Sequence, residues 1–161
     1  MSTNGFDSFF RERFSRTIVL LIAMGASRAD AEDAAQEAMI LAWRQWDTIQ
    51  EPVPWVRTVA VRTYWKLARM KQQFVSLDES APEVQVGSDL GIFAEEQQHV
   101  LRLPSLLRAL PPQQRTVAAL FYDGLACEEI AELVGSPPAT VRSHLRHARG
   151  RLKEQVTSSS P

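Results

Sequence analysis

Glu128-Glu129-Ile130-Ala131-Glu132-Leu133-Val134-Gly135, followed by Ser136-Pro137-Pro138-Ala139-Thr140-Val141-Arg142-Ser143-His144-Leu145-Arg146-His147-Ala148-Arg149, is the stretch that decides the fold. Its apolar residues recur at helical spacings on both sides of a break, and only Gly135-Ser136-Pro137 separates the two runs. A short helix, a turn marked by glycine and a basic second helix form a helix-turn-helix, with Ile130, Ala131, Val134, Val141 and Leu145 as the shared core. An αα-hairpin with an exposed basic face is the blander reading of the same residues. In the first reading the second helix lies in a DNA major groove. Arg142, Ser143, Arg146 and His147 then share a face away from Val141, Leu145 and Ala148, and arginine can bridge guanine O6 and N7 with two parallel hydrogen bonds. Arg149, Arg151 and Lys153 suit phosphates.

Working outward, nearly every periodic signal is helical and almost none alternates, so the chain reads as all-α. Upstream, Leu103, Leu106, Leu107 and Leu110 open this second lobe, and a helix beginning at Pro112 or Gln113 runs through Val117, Leu120 and Phe121 to Gly124. Residues 72–100 carry Pro82, Gly87, Gly91 and three serines without sustained periodicity and read as a linker. Before it lie three helices. Phe6, Phe9, Phe10, Phe14, Ile18, Leu21 and Ile22 make the first amphipathic, and Gly25 ends it. Ser27 with Asp30 resembles a capping box opening the second, whose stripe is Ala35, Ala38, Met39, Ala42, Trp43 and Trp46. Its other side presents Glu32, Asp33, Gln36, Glu37 and Ile40, an acidic surface with one apolar residue in it. Pro52 and Pro54 break the chain, and the third helix is expected from about Trp55 to Lys71, with Val56, Val59, Ala60, Thr63 and Leu67 inward. The expected organisation is a first domain at 1–71, an acidic linker at 72–100, a helix-turn-helix domain at 101–155 and a tail at 156–161.

The chain has 161 residues, 45% apolar and 23% charged, which suits one or two small globular domains and excludes a large multidomain enzyme. The longest apolar run, Thr17 to Ala26, is half of what a bilayer span needs, and a charged stretch precedes it, so a cytoplasmic protein without membrane insertion is expected. The single cysteine, Cys127, can form neither an intrachain disulfide nor a cysteine zinc site. Net charge is −1, but residues 1–71 hold ten Lys/Arg against eight Asp/Glu, 72–100 none against six, and 101–161 eight against five. Two basic lobes thus flank an acidic connector. Arg57, Arg62, Lys66, Arg69 and Lys71 form one basic strip and Arg142, Arg146, Arg149, Arg151 and Lys153 another; each is either phosphate-facing or a solvated helix face. His144 and His147 lack a flanking carboxylate, no phosphate-binding glycine loop or nucleophile motif occurs, and neither metal, cofactor nor catalysis is expected.

Two blocks resemble the extracytoplasmic-function, or group IV, sigma factors of the sigma-70 family in their minimal two-domain form. Ala31-Glu32-Asp33-Ala34-Ala35-Gln36-Glu37 leading to Ala42-Trp43, then Trp55-Val56-Arg57-Thr58-Val59-Ala60, looks like the family's region 2. Leu110-Pro111-Pro112-Gln113-Gln114-Arg115 leading to Glu129-Ile130-Ala131 and Thr140-Val141-Arg142-Ser143 looks like region 4. The resemblance implies two helical domains joined by a flexible linker, and a factor that takes core RNA polymerase to promoters and promotes DNA melting. It implies that Asp33, Gln36, Glu37 and Ile40 dock on the β′ coiled coil of the polymerase, with the β flap as a second contact. Arg57, Arg62, Lys66 and Arg69 would grip phosphates at the −10 element, Tyr64 and Trp65 would stack on the separated strand, and the loop Thr48 to Pro54 would accept a flipped base. Arg142, Ser143, Arg146, His147 and Arg149 would read the −35 element. The linker would thread the polymerase cleft, and an anti-sigma factor is implied as a partner. A stand-alone helix-turn-helix regulator would share the second lobe but not the first. The chain departs from the family at Arg62, usually Asn, at Lys66, often Asp, and at Ala126, where a Ser or Thr helix cap is common.

Overall fold

A computed structural model of the chain describes residues 3–75 and 98–158; residues 76–97 of the expected acidic linker lie outside them, while 72–75 and 98–100 belong to helices. The described residues form seven α-helices: α1 Thr3–Ala23, α2 Arg28–Arg44, α3 Pro52–Val75, α4 Gln98–Leu107, α5 Pro112–Tyr122, α6 Cys127–Val134 and α7 Pro138–Ser158, with a single 3₁₀ turn at Trp46–Thr48 after α2. No strand occurs among them. They make two compact units, α1 to α3 in one and α4 to α7 in the other, the short stretch Ala23–Gly25 grouping with the second.

In the first unit α2 packs most extensively on α3. The reason is in the sequence: Ala31, Ala34, Ala35, Ala38 and Ala42 form a fully buried stripe, and side chains of one carbon let two helix axes approach closely. α3 meets it with Val56, Ala60 and Val61. Thus Val61 takes a buried place, while Val59, Thr63 and Leu67 are only half-buried. α1 is attached differently, by bulk. Ile18 through Leu21 are buried all round the helix, and Phe6 meets Trp43 and Trp46 edge-on at ring separations of 5.2 and 5.4 Å. Gly25, at φ +113°, closes α1 by letting the Ala26 N–H donate back to Leu21 O at 3.0 Å. Thr17, a buried polar side chain in the core, donates its hydroxyl to Arg13 O at 2.8 Å.

Several local expectations shift. Ser27 Oγ accepts the Asp30 N–H at 3.2 Å, the capping interaction of a box. The Asp30 carboxylate meets Lys71 Nζ at 2.9 Å, so Lys71 ties the end of α3 to the start of α2 instead of joining a free basic strip. α3 begins three residues earlier than its apolar pattern implies, because a proline at the first helical position is preformed for the helix, and the Trp55 N–H donates to Glu51 O at 3.2 Å. α7 runs through Ser158, past the expected start of the tail. Its end is held by the Thr157 and Ser158 hydroxyls, which donate to Lys153 O at 2.6 Å and Glu154 O at 2.9 Å.

The second unit wraps α7 with α5 and α6. Ile130, Ala131, Val141, Leu145 and Ala148 are buried, as the helix-turn-helix core requires, and Val134 is half-buried. Gly135 takes the left-handed conformation, φ +74°, which a residue with a Cβ adopts only under strain. At the start of α6 the Glu129 carboxylate accepts the Ala126 N–H at 3.2 Å, so half of a capping box survives where the cap residue has no hydroxyl. Ala126 already has the extended backbone of a cap, φ −72° and ψ 158°. Ala126→Ser should therefore stabilise the second unit by about 1 kcal/mol, and calorimetry should show its transition rising by roughly 4–8 °C. An unchanged transition would mean that the cap geometry does not limit this helix.

Candidate nucleic-acid interface

The outward face of α3 carries the first surface. Arg62, Lys66 and Arg69 stand at i, i+4 and i+7 and all three are exposed. Arg57 and Lys71, grouped with them by charge alone, fall on the packed side by helical period; Arg57 is half-buried and engaged, and Lys71 holds Asp30. Tyr64 and Trp65 are both half-buried. Tyr64 lies three and four residues from Val61 and Ala60, on the packed side, while Trp65 flanks Arg62 and Arg69.

Next to this strip an open cavity of about 560 Å³ lies between the turn after α2 and the first turns of α3. Gln45, Thr48, Ile49, Gln50 and Glu51 form one wall, and Pro54, Trp55, Thr58, Val59 and Arg62 the other. The turn is held by the Thr48 and Ile49 N–H groups, which donate to Gln45 O at 2.9 and 3.2 Å, and by the Thr48 hydroxyl on the same carbonyl at 2.8 Å. The volume is that of a small-molecule pocket, its lining mixes a ring, amides and hydroxyls, and Arg62 belongs to both cavity and strip. An aromatic base continuous with a phosphate backbone is the ligand shape this arrangement fits.

On α7, Arg142, Arg146, Arg149 and Lys153 stand in line at i, i+4, i+7 and i+11, all exposed, with His147 exposed and Ser143 half-buried beside them. Arg151 falls on a different side. The Arg149 guanidinium lies over the Phe121 ring of α5, 4.8 Å from its centroid, and Arg142 Nη1 lies 3.5 Å from Glu128 Oε1 of α6.

The third surface is on α2. Asp33, Gln36, Glu37 and Ile40 are all exposed on one face, and Ile40 is 48% exposed. Sequence reading missed its continuation. Trp43, placed by periodicity with the core stripe, is 41% exposed, and Phe10 of α1 is 37% exposed. With Phe6, Gln36, Met39 and Ile40 they line an apolar groove of about 320 Å³. The available signal was the excess of aromatics: four phenylalanines and two tryptophans in α1 and around α2 exceed what the alanine-lined core can cover.

Two families match: the one described as Sigma-70 region 2 over residues 13–73, and the one described as Sigma-70, region 4 over residues 101–152. The chain belongs to the sigma-70 family. It is similar to the RNA polymerase sigma-E factor of Streptomyces avermitilis, 28% identical over 95% of this chain and 86% of that protein. The ECF RNA polymerase sigma factor SigE of Mycolicibacterium smegmatis is 24% identical over 96% of this chain and 62% of its own length. In fold it resembles the sigma factor RpoE of Bartonella quintana, solved in complex with the anti-sigma factor NepR, with a TM-score of 0.70 at 20% identity over 98% of this chain and all of that one.

The match assigns α1 to α3 to region 2 and α4 to α7 to region 4 of an extracytoplasmic-function sigma factor, which directs RNA polymerase to its promoters. No cluster of three or more His, Cys, Asp or Glu side chains occurs among the described residues, and no described helix is long and apolar enough to cross a membrane. The exposure of region 2's apolar face has a measurable consequence. Ile40→Gln should leave thermal stability within about 0.5 kcal/mol, because the side chain is not in the core. Met39→Ala, one residue along but buried, should cost about 2–5 kcal/mol in denaturant unfolding. Equal losses would show that Ile40 is structural.

Proposed function

We propose that this sigma factor binds core RNA polymerase through region 2, reads −10 and −35 elements with α3 and α7, and opens DNA by capturing an unstacked base. The observation that carries the reading is the cavity beside α3, whose wall includes the first arginine of an exposed basic strip. Phosphates of the separated strand would track along Arg62, Lys66 and Arg69, with Arg57 nearer the packed side. A base turned out of the stack would enter between the Thr48–Pro54 segment and Trp55. Trp65 is better placed than Tyr64 to stack on a second base. Unpairing costs a few kcal/mol per base, and base–aromatic stacking returns about 1–3 kcal/mol, so contacts available only after melting shift the equilibrium toward the open strand. The protein performs no chemistry in this scheme; the polymerase does. It works in the cytoplasm, where promoter DNA and polymerase are.

Asp33, Gln36, Glu37 and Ile40 dock on the β′ coiled coil, and the groove of Phe6, Phe10, Met39 and Trp43 extends that surface for apolar side chains of the same partner. Carboxylates around an apolar centre make a self-consistent docking patch, since the charges steer the encounter and the buried centre holds the complex. Region 4 carries Arg142, Ser143, Arg146, His147 and Arg149 into the major groove of the −35 element and meets the β flap. The first domain, expected at 1–71, extends to the end of α3 at Val75, and the second, expected at 101–155, runs from Gln98 to Ser158, with the acidic connector in the polymerase cleft as a nucleic-acid mimic. An anti-sigma factor would hold this chain inactive, as NepR accompanies RpoE and CnrY accompanies CnrH in their solved complexes.

Run-off transcription with purified bacterial core polymerase and a pool of genomic promoter fragments tests the whole scheme. Discrete start sites sharing two spaced elements are expected; no stimulation, with no core binding by gel filtration, overturns it. Within it, Asp33→Lys combined with Glu37→Lys should abolish core binding and leave the fold intact by circular dichroism. Arg142→Ala with Arg146→Ala should keep core binding but lower transcription from promoters dependent on the −35 element by roughly tenfold or more, each lost bidentate contact being worth about 1–3 kcal/mol. Loss of core association in the arginine variant would refute this division of labour.

A further inference from the structure

The arginines of α7 differ in what holds them. Arg149 lies over the Phe121 ring, and Arg146 has no ion pair or hydrogen bond to any described residue. Arg142 faces a carboxylate, that of Glu128, with 57% and 71% of the two side chains exposed. Glu128 shares the first turn of α6 with Glu129, and it is Glu129 that accepts the Ala126 N–H. A carboxylate there works against DNA binding, because it occupies the guanidinium that leads the recognition face.

We propose that Glu128 is a specificity-determining residue that withholds Arg142 from the DNA backbone and yields it only to a base edge offering two acceptors. The proposal rests on the reading of α7 as the recognition helix. The geometry is that of a loose latch. At 3.5 Å the pair is longer than the 2.7–2.9 Å of a tight charge-assisted bond, and it stands in water. Exposed pairs of this kind bias a side chain by about two- to fivefold, comparable with what one screened phosphate contact gives back. A bidentate guanine contact discriminates by roughly five- to hundredfold. The latch therefore cancels the gain from a lone phosphate and loses to a guanine. Specificity built this way comes from weakening the wrong complexes more than the right one. Arg146 remains available to any sequence.

Fluorescence anisotropy of the full chain on a labelled random-sequence duplex of about 30 base pairs, between about 50 and 200 mM salt, reads the latch directly. Both residues are exposed, so the substitutions leave the core untouched. Glu128→Gln should bind this duplex two- to fivefold more tightly than the wild type, with the slope of log K on log salt steeper by about one phosphate contact. In an Arg142→Ala background the same change should gain almost nothing, because the withheld group is gone. Equal affinities of wild type and Glu128→Gln, including binding by neither, overturn the proposal. So does an equal gain in both backgrounds, which would make Glu128 a general repulsive charge. An Arg146→Ala chain that binds this duplex as tightly as the wild type overturns the recognition-helix reading itself, because Arg146 lies outside the latch, so the two failures are distinguishable.

Discussion

The buried alanine stripe of α2 is the constraint on which region 2 depends. Five alanines with no exposed surface let α2 lie close against α3, and that contact fixes where every other face of the two helices points. α2 has only 17 residues to serve three neighbours. The stripe at positions 31, 34, 35, 38 and 42 goes to the core, the flank of Met39 and Trp43 to α1, and Asp33, Gln36, Glu37 and Ile40 outward. α3 is divided in the same way: Val56, Ala60 and Val61 are inside, and Arg62, Lys66 and Arg69 are on the other side. The acidic strip and the basic strip are thus two outer faces of one helix pair. Alanine burial returns little hydrophobic energy, roughly one methyl group each, so the unit's stability rests on the large side chains of α1. The Lys71–Asp30 pair sets register more than it adds stability, since its lysine is mostly in solvent.

Region 4 solves a smaller problem with local devices. An eight-residue α6 is too short to persist alone, and it is specified by a left-handed Gly135 at one end, the Glu129 carboxylate at the other and the buried Ile130 and Ala131 between. The return for this scaffold is the straight exposed stripe of α7. Its arginine heads are partly ordered before any DNA arrives. Stacking of Arg149 on Phe121 is worth about 0.5–1 kcal/mol at an exposed site, and an arginine already held in place loses less freedom on binding.

Features set by local periodicity were legible in the sequence; those set by which surfaces meet were not. The helix-turn-helix was readable because Gly135 and the spacing of Ile130, Val141 and Leu145 admit few alternatives. The acidic face was readable because its members lie at i, i+3, i+4 and i+7. Trp43 shows the limit: its spacing matches the core stripe, yet α1 covers only one side of it, and no pattern in the sequence gives the width of that cover. The cavity beside α3 is invisible for the same reason, since it exists only where the Trp46–Thr48 turn folds back against a helix that begins earlier than its apolar residues do. Arg57 and Lys71 were misgrouped for a different reason. Charge counting ignores the helical period, which separates them from Arg62, Lys66 and Arg69.

The two surfaces proposed to face DNA differ in a way that suits two states of DNA. A major groove is a fixed relief, so a straight row of side chains on one helix can read it, and α7 offers that row. A melted strand has no fixed relief, and what can recognise it is a place for one base and a track for the backbone. α3 and the turn before it offer both, with Arg62 at their junction. The cavity is open to solvent rather than enclosed, which fits a base that enters sideways from a strand still attached at both ends. Openness also limits affinity, because water competes at the mouth and salt weakens the exposed basic strip. Weak capture is the useful regime for a factor that must let go. In the proposed scheme a base held by a few kcal/mol, about what its unpairing costs, tips the duplex open without trapping it.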